Sequence, residues 1–367
     1  MRSRGIILLT LLFISSMAIV ILLVSKKTDP KEEMLQASKK LSEARLEKAP
    51  KYAEGLFGIA LNYYDSSLAE WQHQNSRFIL FRDYERSVQL ARESCIFSEK
   101  SIQRARLNLS KEEGSLDEKI VAVGQAIVSF DDRFGRFPLR YEHWDKIAKC
   151  RIQYTEAKIA YKNGKYAEAR TKLEKAETTI LQISGYYEEL LRKYLEGFPA
   201  WNSMVNQGIA GSKSGKNYVV IVDKLDRNLW IYKDGKVARQ FSIELGSNWI
   251  GDKVQQGDKT TPEGIYKIVE KKQNGHTRFY KACLLNYPNK EDQKRFEENK
   301  KSGMLDEHAK IGNLIEIHGQ GGKGVDWTNG CIALNDRDMD VLFKLCPVGT
   351  KVIIVGSTKS YNEISSQ

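Results

Sequence analysis

A histidine and a cysteine stand thirteen positions apart in the stretch Ile315–Asn335, and the connection between them carries Gly319, Gly321, Gly322 and Gly324. That separation is too long for neighbours on one helix face, so only a fold that doubles the chain back can join them. The apolar run Leu314–Ile317 reads as a buried strand delivering His318, and the glycines let the chain leave it and turn without steric penalty. The chemistry asks for such proximity. A free thiol titrates near about 8.5, and a nearby imidazole that takes its proton raises the nucleophilic fraction. Gly330 precedes Cys331, where bare backbone N–H groups can face a developing oxyanion.

The rest of the chain restricts where this chemistry takes place. At 367 residues it has room for two or three domains. The net charge of +11 is spread over both halves, without a clustered basic face or nucleic-acid motif, so no nucleic acid is expected as partner. Five cysteines, Cys95, Cys150, Cys283, Cys331 and Cys346, show no C-x-x-C pair, which argues against a disulfide framework. Zinc needs about four ligands. His318, Cys331 and Cys346 lack a fourth, so neither metal nor cofactor is expected. Gly5–Ser25 is an uncharged run rich in Leu and Ile between basic flanks, long enough to cross a bilayer. Residues 1–29 are therefore expected to be an uncleaved transmembrane anchor.

From 30 to 207 the pattern is helical. Tyr84, Val88, Ala91, Cys95, Ile102, Ala105 and Leu109 share one helix face. Ile120, Val123, Ile127 and Phe130 form a second stripe after a break expected at Gly114-Ser115. A helical hairpin turning at Lys162-Asn163-Gly164 resembles a tetratricopeptide-type repeat, although nothing recurs at a period of about 34. A plain helical bundle is the alternative, and either would give this region a protein partner. Residues 208–217, with their Gly, Ser and Lys, read as a linker. Strands follow at Tyr218–Val222, Asn228–Tyr232 and Val237–Leu245, the last two joined through Asp234-Gly235. A helix capped at Asn335 or Asp336 and a strand over Lys351–Val355 close the domain at 356, and 357–367 reads as a polar tail.

The order Thr261-Pro262-Glu263-Gly264, His318-Gly319, then Thr328-Asn329-Gly330-Cys331-Ile332-Ala333-Leu334 resembles the L,D-transpeptidase catalytic domain, the YkuD family. The form Asp326-Trp327-Thr328 before Asn-Gly-Cys, with Tyr287-Pro288-Asn289 upstream, resembles its YafK-type subgroup. The implied fold class is multidomain α plus β: an anchor, an all-α domain and a mostly-β catalytic domain over 218–356. The resemblance further implies Cys331 as nucleophile, His318 as its base and the Gly319 carbonyl as the imidazole's orienting group. The N–H groups of Asn329, Gly330 and Cys331 would form an oxyanion hole, and Asp326, Trp327 and Thr328 would contact substrate. That substrate is the peptidoglycan stem peptide, processed through a thioester in the bacterial envelope, with the catalytic domain periplasmic or otherwise outside the membrane. This chain departs from the usual family pattern in three ways: Asn329 replaces a histidine, Ala333 stands where many members carry Arg or Asn, and the His318–Thr328 loop is short. Transpeptidation is the leading expectation; hydrolysis by the same thiol, as a carboxypeptidase or amidase, and a non-catalytic peptidoglycan-binding scaffold are the alternatives.

Overall fold

The structure, a computed structural model, describes residues 10–17, 30–215 and 217–366. Two compact units form, one from residues 1–121 with 158–170, the other from 122–157 with 171–367. Residues 10–17 are helical, and the remainder of the anchor expected over 1–29 lies outside the described residues. Among the described residues no helix is long and apolar enough to cross a membrane.

The first unit is all helical, built from Lys31–Leu46, Ala49–Tyr52, Glu54–Ser76 and the start of the long helix Glu85–Phe134. Small residues govern its packing. Leu41, Ala44, Ala49, Phe57, Ala60, Ile102 and Ala105 make one core cluster. Ser67 and Ser87 exchange hydroxyl-to-carbonyl bonds of 2.8 and 2.9 Å, and the Ser94 hydroxyl donates to the Ala60 carbonyl at 2.8 Å. Hydroxyls satisfied on a neighbouring backbone allow close approach without stranding a polar group. Helix Glu85–Phe134 runs unbroken for 50 residues. The break expected at Gly114-Ser115 is absent because Leu116 is buried and keeps that turn in the packed stripe, which outweighs the propensity cost of one glycine, about 1 kcal/mol. The helices Tyr141–Lys162 and Tyr166–Tyr194 turn at Lys162-Asn163-Gly164 as expected, with Gly164 at φ +71°.

The second unit is organised around one sheet of strands β1 (Val219–Asp223), β2 (Asn228–Lys233), β3 (Lys236–Ser242), β4 (Gly264–Gln273), β5 (Lys281–Leu285), β6 (Glu316–His318), β7 (Ile332–Ala333) and β8 (Lys351–Val355). Their order is β3-β2-β1-β8-β4-β5-β6-β7. β1 pairs with β8 in parallel, and both are buried through their apolar residues, as strands covered on two faces must be. Asp234 and Gly235, both at positive φ, make the tight β2–β3 turn. Beyond β3 the chain curls back, so that Glu244 bridges Ala333 of β7 and Gly246 bridges Thr328. The two ends of the sheet are thereby joined beside the His–Cys connection.

Two stretches depart from the sequence expectation. Residues 208–215 of the expected linker are helical, since they end helix Phe198–Gly215, which lies on β1, β2 and β8. Its glycine serves packing rather than flexibility: a Cβ on Gly208 would come within 2.2 Å of Ile353 Cδ1. The polar tail is docked, because Asp223, buried at the end of β1, accepts from the Thr358 amide and hydroxyl, both at 2.7 Å. Trp201 of the same helix lies where Cβ atoms on Gly197 and Gly356 would fall 2.6 and 2.2 Å from its ring. Gly356→Ala should therefore force the indole out of place and destabilise the protein by about 1–3 kcal/mol, the usual cost of overpacking, measured as a lowered urea midpoint.

Candidate active site

β6 and β7 run parallel with Ile317 opposite Ile332 and His318 opposite Ala333. Side chains alternate along a strand, so Cys331, two positions before Ala333, lies on the same face as His318. The pairing thus does what a separation of thirteen positions along the chain cannot. Cys331 is partly exposed and its Sγ lies 3.5 Å from the Leu314 carbonyl, whereas His318 is fully buried.

The imidazole is held on three sides. Its Nδ1 is 2.6 Å from the Gly319 carbonyl oxygen, which can only accept, so Nδ1 carries the proton and Nε2 is the basic atom. Phe279, from the β4–β5 hairpin, stacks on one face at 3.6 Å between centroids and 8° between planes. Trp327 meets the ring edge-on at 5.9 Å. Nε2 is buried and has no hydrogen-bond partner among the described residues. Burial dominates the electrostatics, pushing the imidazole down to about 4 with help from the nearby charges of Arg278 and Lys323. It also pushes the Cys331 thiol up. At neutral pH the resting pair is thus thiol and neutral imidazole rather than thiolate and imidazolium.

The backbone around the nucleophile is set by Thr328 and two glycines. The Thr328 hydroxyl donates to the Cys331 carbonyl at 2.7 Å and accepts from the Gly330 amide at 3.1 Å. Gly330 has φ +122°, and a Cβ there would lie 2.7 Å from the Thr260 carbonyl oxygen. Thr260, immediately before the Thr261–Gly264 loop, forms this wall. The Thr261 hydroxyl accepts from the Gly246 amide at 3.1 Å, and buried Lys224 donates to the Thr261 carbonyl and the Glu263 carboxylate at 2.8 and 2.7 Å. The Gly330 amide is thus engaged internally. Among the described residues the Cys331 amide has no hydrogen-bond partner, which leaves it able to donate to a developing oxyanion.

Of the remaining expected site residues, Asn329 is exposed beside the nucleophile. Trp327 donates from Nε1 to Glu244 at 2.7 Å. Asp326 accepts from the Leu245 amide at 2.9 Å and from Arg227 at 2.8 Å, in an ion pair with side-chain exposures of 12% and 7%. Arg227 also donates to the Arg136 carbonyl at 3.1 Å and stacks over Trp249 at 4.2 Å. Glu244, Phe279 and Arg227 were not singled out by sequence. Glu244 holds the loop twice, accepting from the Gly324 amide at 2.6 Å as well as from Trp327. All three act across long chain separations and sit in no local motif. A cavity of about 530 Å³ opens beside Arg227, Glu244 and Asp326, with Arg136 and Phe137 on its other wall.

Residues 217–354 match the YkuD family, the L,D-transpeptidase catalytic domain. The protein named "Putative L,D-transpeptidase YqjB" of Bacillus subtilis is 28% identical over 158 residues, covering 40% of this chain and 76% of that protein. YafK of Escherichia coli K12, named in the same terms, is 28% identical over 135 residues, 35% of this chain and 47% of its own length. Among solved structures, Bd1075 of Bdellovibrio bacteriovorus aligns at 23% identity and a TM-score of 0.31, covering 41% of this chain and 52% of that one. The L,D-transpeptidase of Xylanimonas cellulosilytica aligns at 16% identity and a TM-score of 0.26, covering 38% of this chain and 60% of that one. The family match and the named relatives support a cysteine-nucleophile acyltransferase.

Two outcomes follow from the site's energetics. Arg227→Met leaves the Asp326 carboxylate buried without its partner and should cost about 3–5 kcal/mol, read as a loss of thermal stability together with faster proteolysis within Gly319–Thr328. The neutral resting pair makes Cys331 a slow nucleophile at pH 7. Its alkylation by iodoacetamide, followed by peptide mass spectrometry, should climb with pH above about 8. A plateau extending down to about pH 5 would mark a preformed ion pair and contradict this description.

Proposed function

We propose that this protein is a peptidoglycan-modifying acyltransferase, most simply an L,D-transpeptidase, that works through a thioester on Cys331. The observation carrying this reading is the shared face of His318 and Cys331 within the matched domain, with Nε2 as the basic atom and the Cys331 amide open to an oxyanion. In the first half-reaction the Cys331 proton passes to His318 Nε2 as the sulfur adds to the carbonyl carbon of a stem-peptide bond. The C–N bond then breaks, the imidazolium returns its proton to the departing amine, and a thioester remains. In the second half-reaction an amine or water attacks the thioester, His318 takes the incoming proton, and the sulfur leaves as the thiol.

Asp326, Trp327 and Thr328 contribute by shaping the loop above the thiol, and Asn329, exposed beside it, is positioned to meet the substrate peptide. A peptidoglycan substrate requires the catalytic domain to lie outside the cytoplasmic membrane, with residues 1–29 serving as the anchor and the helical region recruiting a partner.

The test is incubation of the purified protein with defined muropeptides, products being resolved by mass spectrometry. New cross-links, lost in Cys331→Ala and reduced at least about 100-fold in His318→Ala, are expected, since a positioned base contributes about 10²–10⁴-fold. Shortened stems without cross-links would assign the acceptor as water. Unaltered stems alongside intact Cys331 would overturn the enzyme reading.

A further inference from the structure

The turn between helices Glu54–Ser76 and Glu85–Phe134 carries four consecutive apolar residues that the first unit leaves in solvent. Phe78, Ile79, Leu80 and Phe81 are 66%, 46%, 40% and 66% exposed, and the last three form a short 3-10 turn. A loop tip ordinarily carries polar side chains, so an exposed apolar run of this length marks a surface with an apolar partner. The tip is held in shape by its own bonds. The Phe81 amide donates to the Phe78 carbonyl at 2.9 Å, with the two rings 6.2 Å apart. Arg82 donates to the Arg77 and Asn75 carbonyls, both at 3.0 Å, and Arg77 donates to the Gln74 side-chain oxygen at 3.2 Å. Arg77 and Arg82 thus bracket the apolar run, and these bonds go to neutral oxygens that leave both charges uncancelled.

The position of the tip in the first unit points to its occupant. Ser67 bonds to Ser87 and Ser94 to Ala60, so helices Glu54–Ser76 and Glu85–Phe134 are antiparallel. Glu33, Lys40 and Glu47 pair with Arg92, Glu99 and Arg106 at 3.1, 3.2 and 2.7 Å, advancing together, so helix Lys31–Leu46 runs parallel to helix Glu85–Phe134. The start of helix Lys31–Leu46 and the apolar tip therefore share one end of the bundle, where Met34 Sδ is 3.9 Å from the Ser87 hydroxyl. Helix Glu54–Ser76 continues nine residues past Ser67, about 13 Å, while only three residues of helix Lys31–Leu46 precede Met34, so the end that bears the tip overhangs the bundle. The apolar run Gly5–Ser25 stops six positions before Lys31, which limits the connection to about 20 Å. Within that run Leu11, Leu12, Phe13 and Ile14 are likewise exposed. A bilayer that takes the run is thereby held at the end of the bundle that bears the tip. We propose that Phe78–Phe81 inserts into the interfacial layer of that phospholipid bilayer, the two rings among the acyl chains and Arg77 and Arg82 at the phosphates. The inference rests on residues 1–29 being the anchor and is independent of the acyltransferase reading.

The experiment reconstitutes the full chain in vesicles of phosphatidylethanolamine and phosphatidylglycerol, with the photoreactive p-benzoylphenylalanine replacing Phe78, Phe81 or Leu46 in turn. Leu46 is the control, because it is 84% exposed at the far end of helix Lys31–Leu46. Adducts formed on irradiation are read by peptide mass spectrometry. Lipid adducts at positions 78 and 81 should exceed those at 46 by at least about fivefold, since an interfacial element sits about 5–10 Å deep and the control lies about 22 Å along the helix from its start. Equal yields at the three positions overturn the proposal. So do adducts at 78 and 81 found only on peptides of this chain, which would make the tip a contact between copies or a seat for another segment. Washing the vesicles with alkaline carbonate tests the anchor separately. A chain that resists the wash yet shows no lipid excess at the tip keeps its anchor and loses the proposed insertion. A chain released by the wash has no anchor; the insertion then stands if the lipid excess was present before washing and falls if it was not.

Discussion

One buried carboxylate holds the catalytic connection in its shape. The main chain of Glu244 exchanges two hydrogen bonds with Ala333, at 2.9 and 2.8 Å, which ties the curled end of the sheet to the strand after the nucleophile. Its side chain then reaches the Gly324 amide and the Trp327 indole. A loop with four glycines has much conformational entropy to lose, and few of its own side chains can offset that loss. Glu244 supplies the fixed points from outside. Through Trp327 it also fixes the edge of the wall that encloses His318, so the fold and the chemistry share a single anchor.

The surroundings of the base and nucleophile then decide how reactive they are at rest. Both groups are desolvated, and desolvation disfavours whichever form is charged, so the imidazole stays deprotonated and the thiol stays protonated. The same burial bears on stability with a definite sign. A histidine whose folded value is about 4 against an ordinary 6.5 binds fewer protons folded than unfolded between those values. It therefore adds nothing to instability above the upper limit and destabilises progressively as pH falls through that window. Asp252, raised by burial to about 6, acts in the opposite direction over part of the same range.

The sequence conveyed the local devices well. Asp234-Gly235 specified a turn, Asn335 caps its helix through the Asp338 amide, and Lys351–Val355 is a strand with the limits its apolar run suggests. His318 and Cys331 stood out because their chemistry and their glycines are written in one short stretch. What stayed hidden depends on distant partners. Gly208 and Gly114 look like breakers in a one-dimensional reading, but in the structure one lies against Ile353 and the other sits in a turn secured by Leu116. Glu244 and Phe279 belong to segments with no motif, and their importance appears only once strand pairing brings them to the imidazole. Arg227 is similar, since its partner Asp326 is 99 positions away in the chain.

The clamp on His318 has a consequence for the order of events. Phe279 covers one face, Trp327 meets an edge and the Gly319 carbonyl holds Nδ1, so the ring has a single orientation and a single usable nitrogen. A base that cannot turn has to hand back its proton at the place where it received it. In the proposed two-step reaction the departing fragment and the incoming acceptor would then pass through one doorway, in succession. An acceptor bound too early would obstruct the exit it later needs as an entrance, and abundant acceptor would slow the first half-reaction by competing for the empty thiol site.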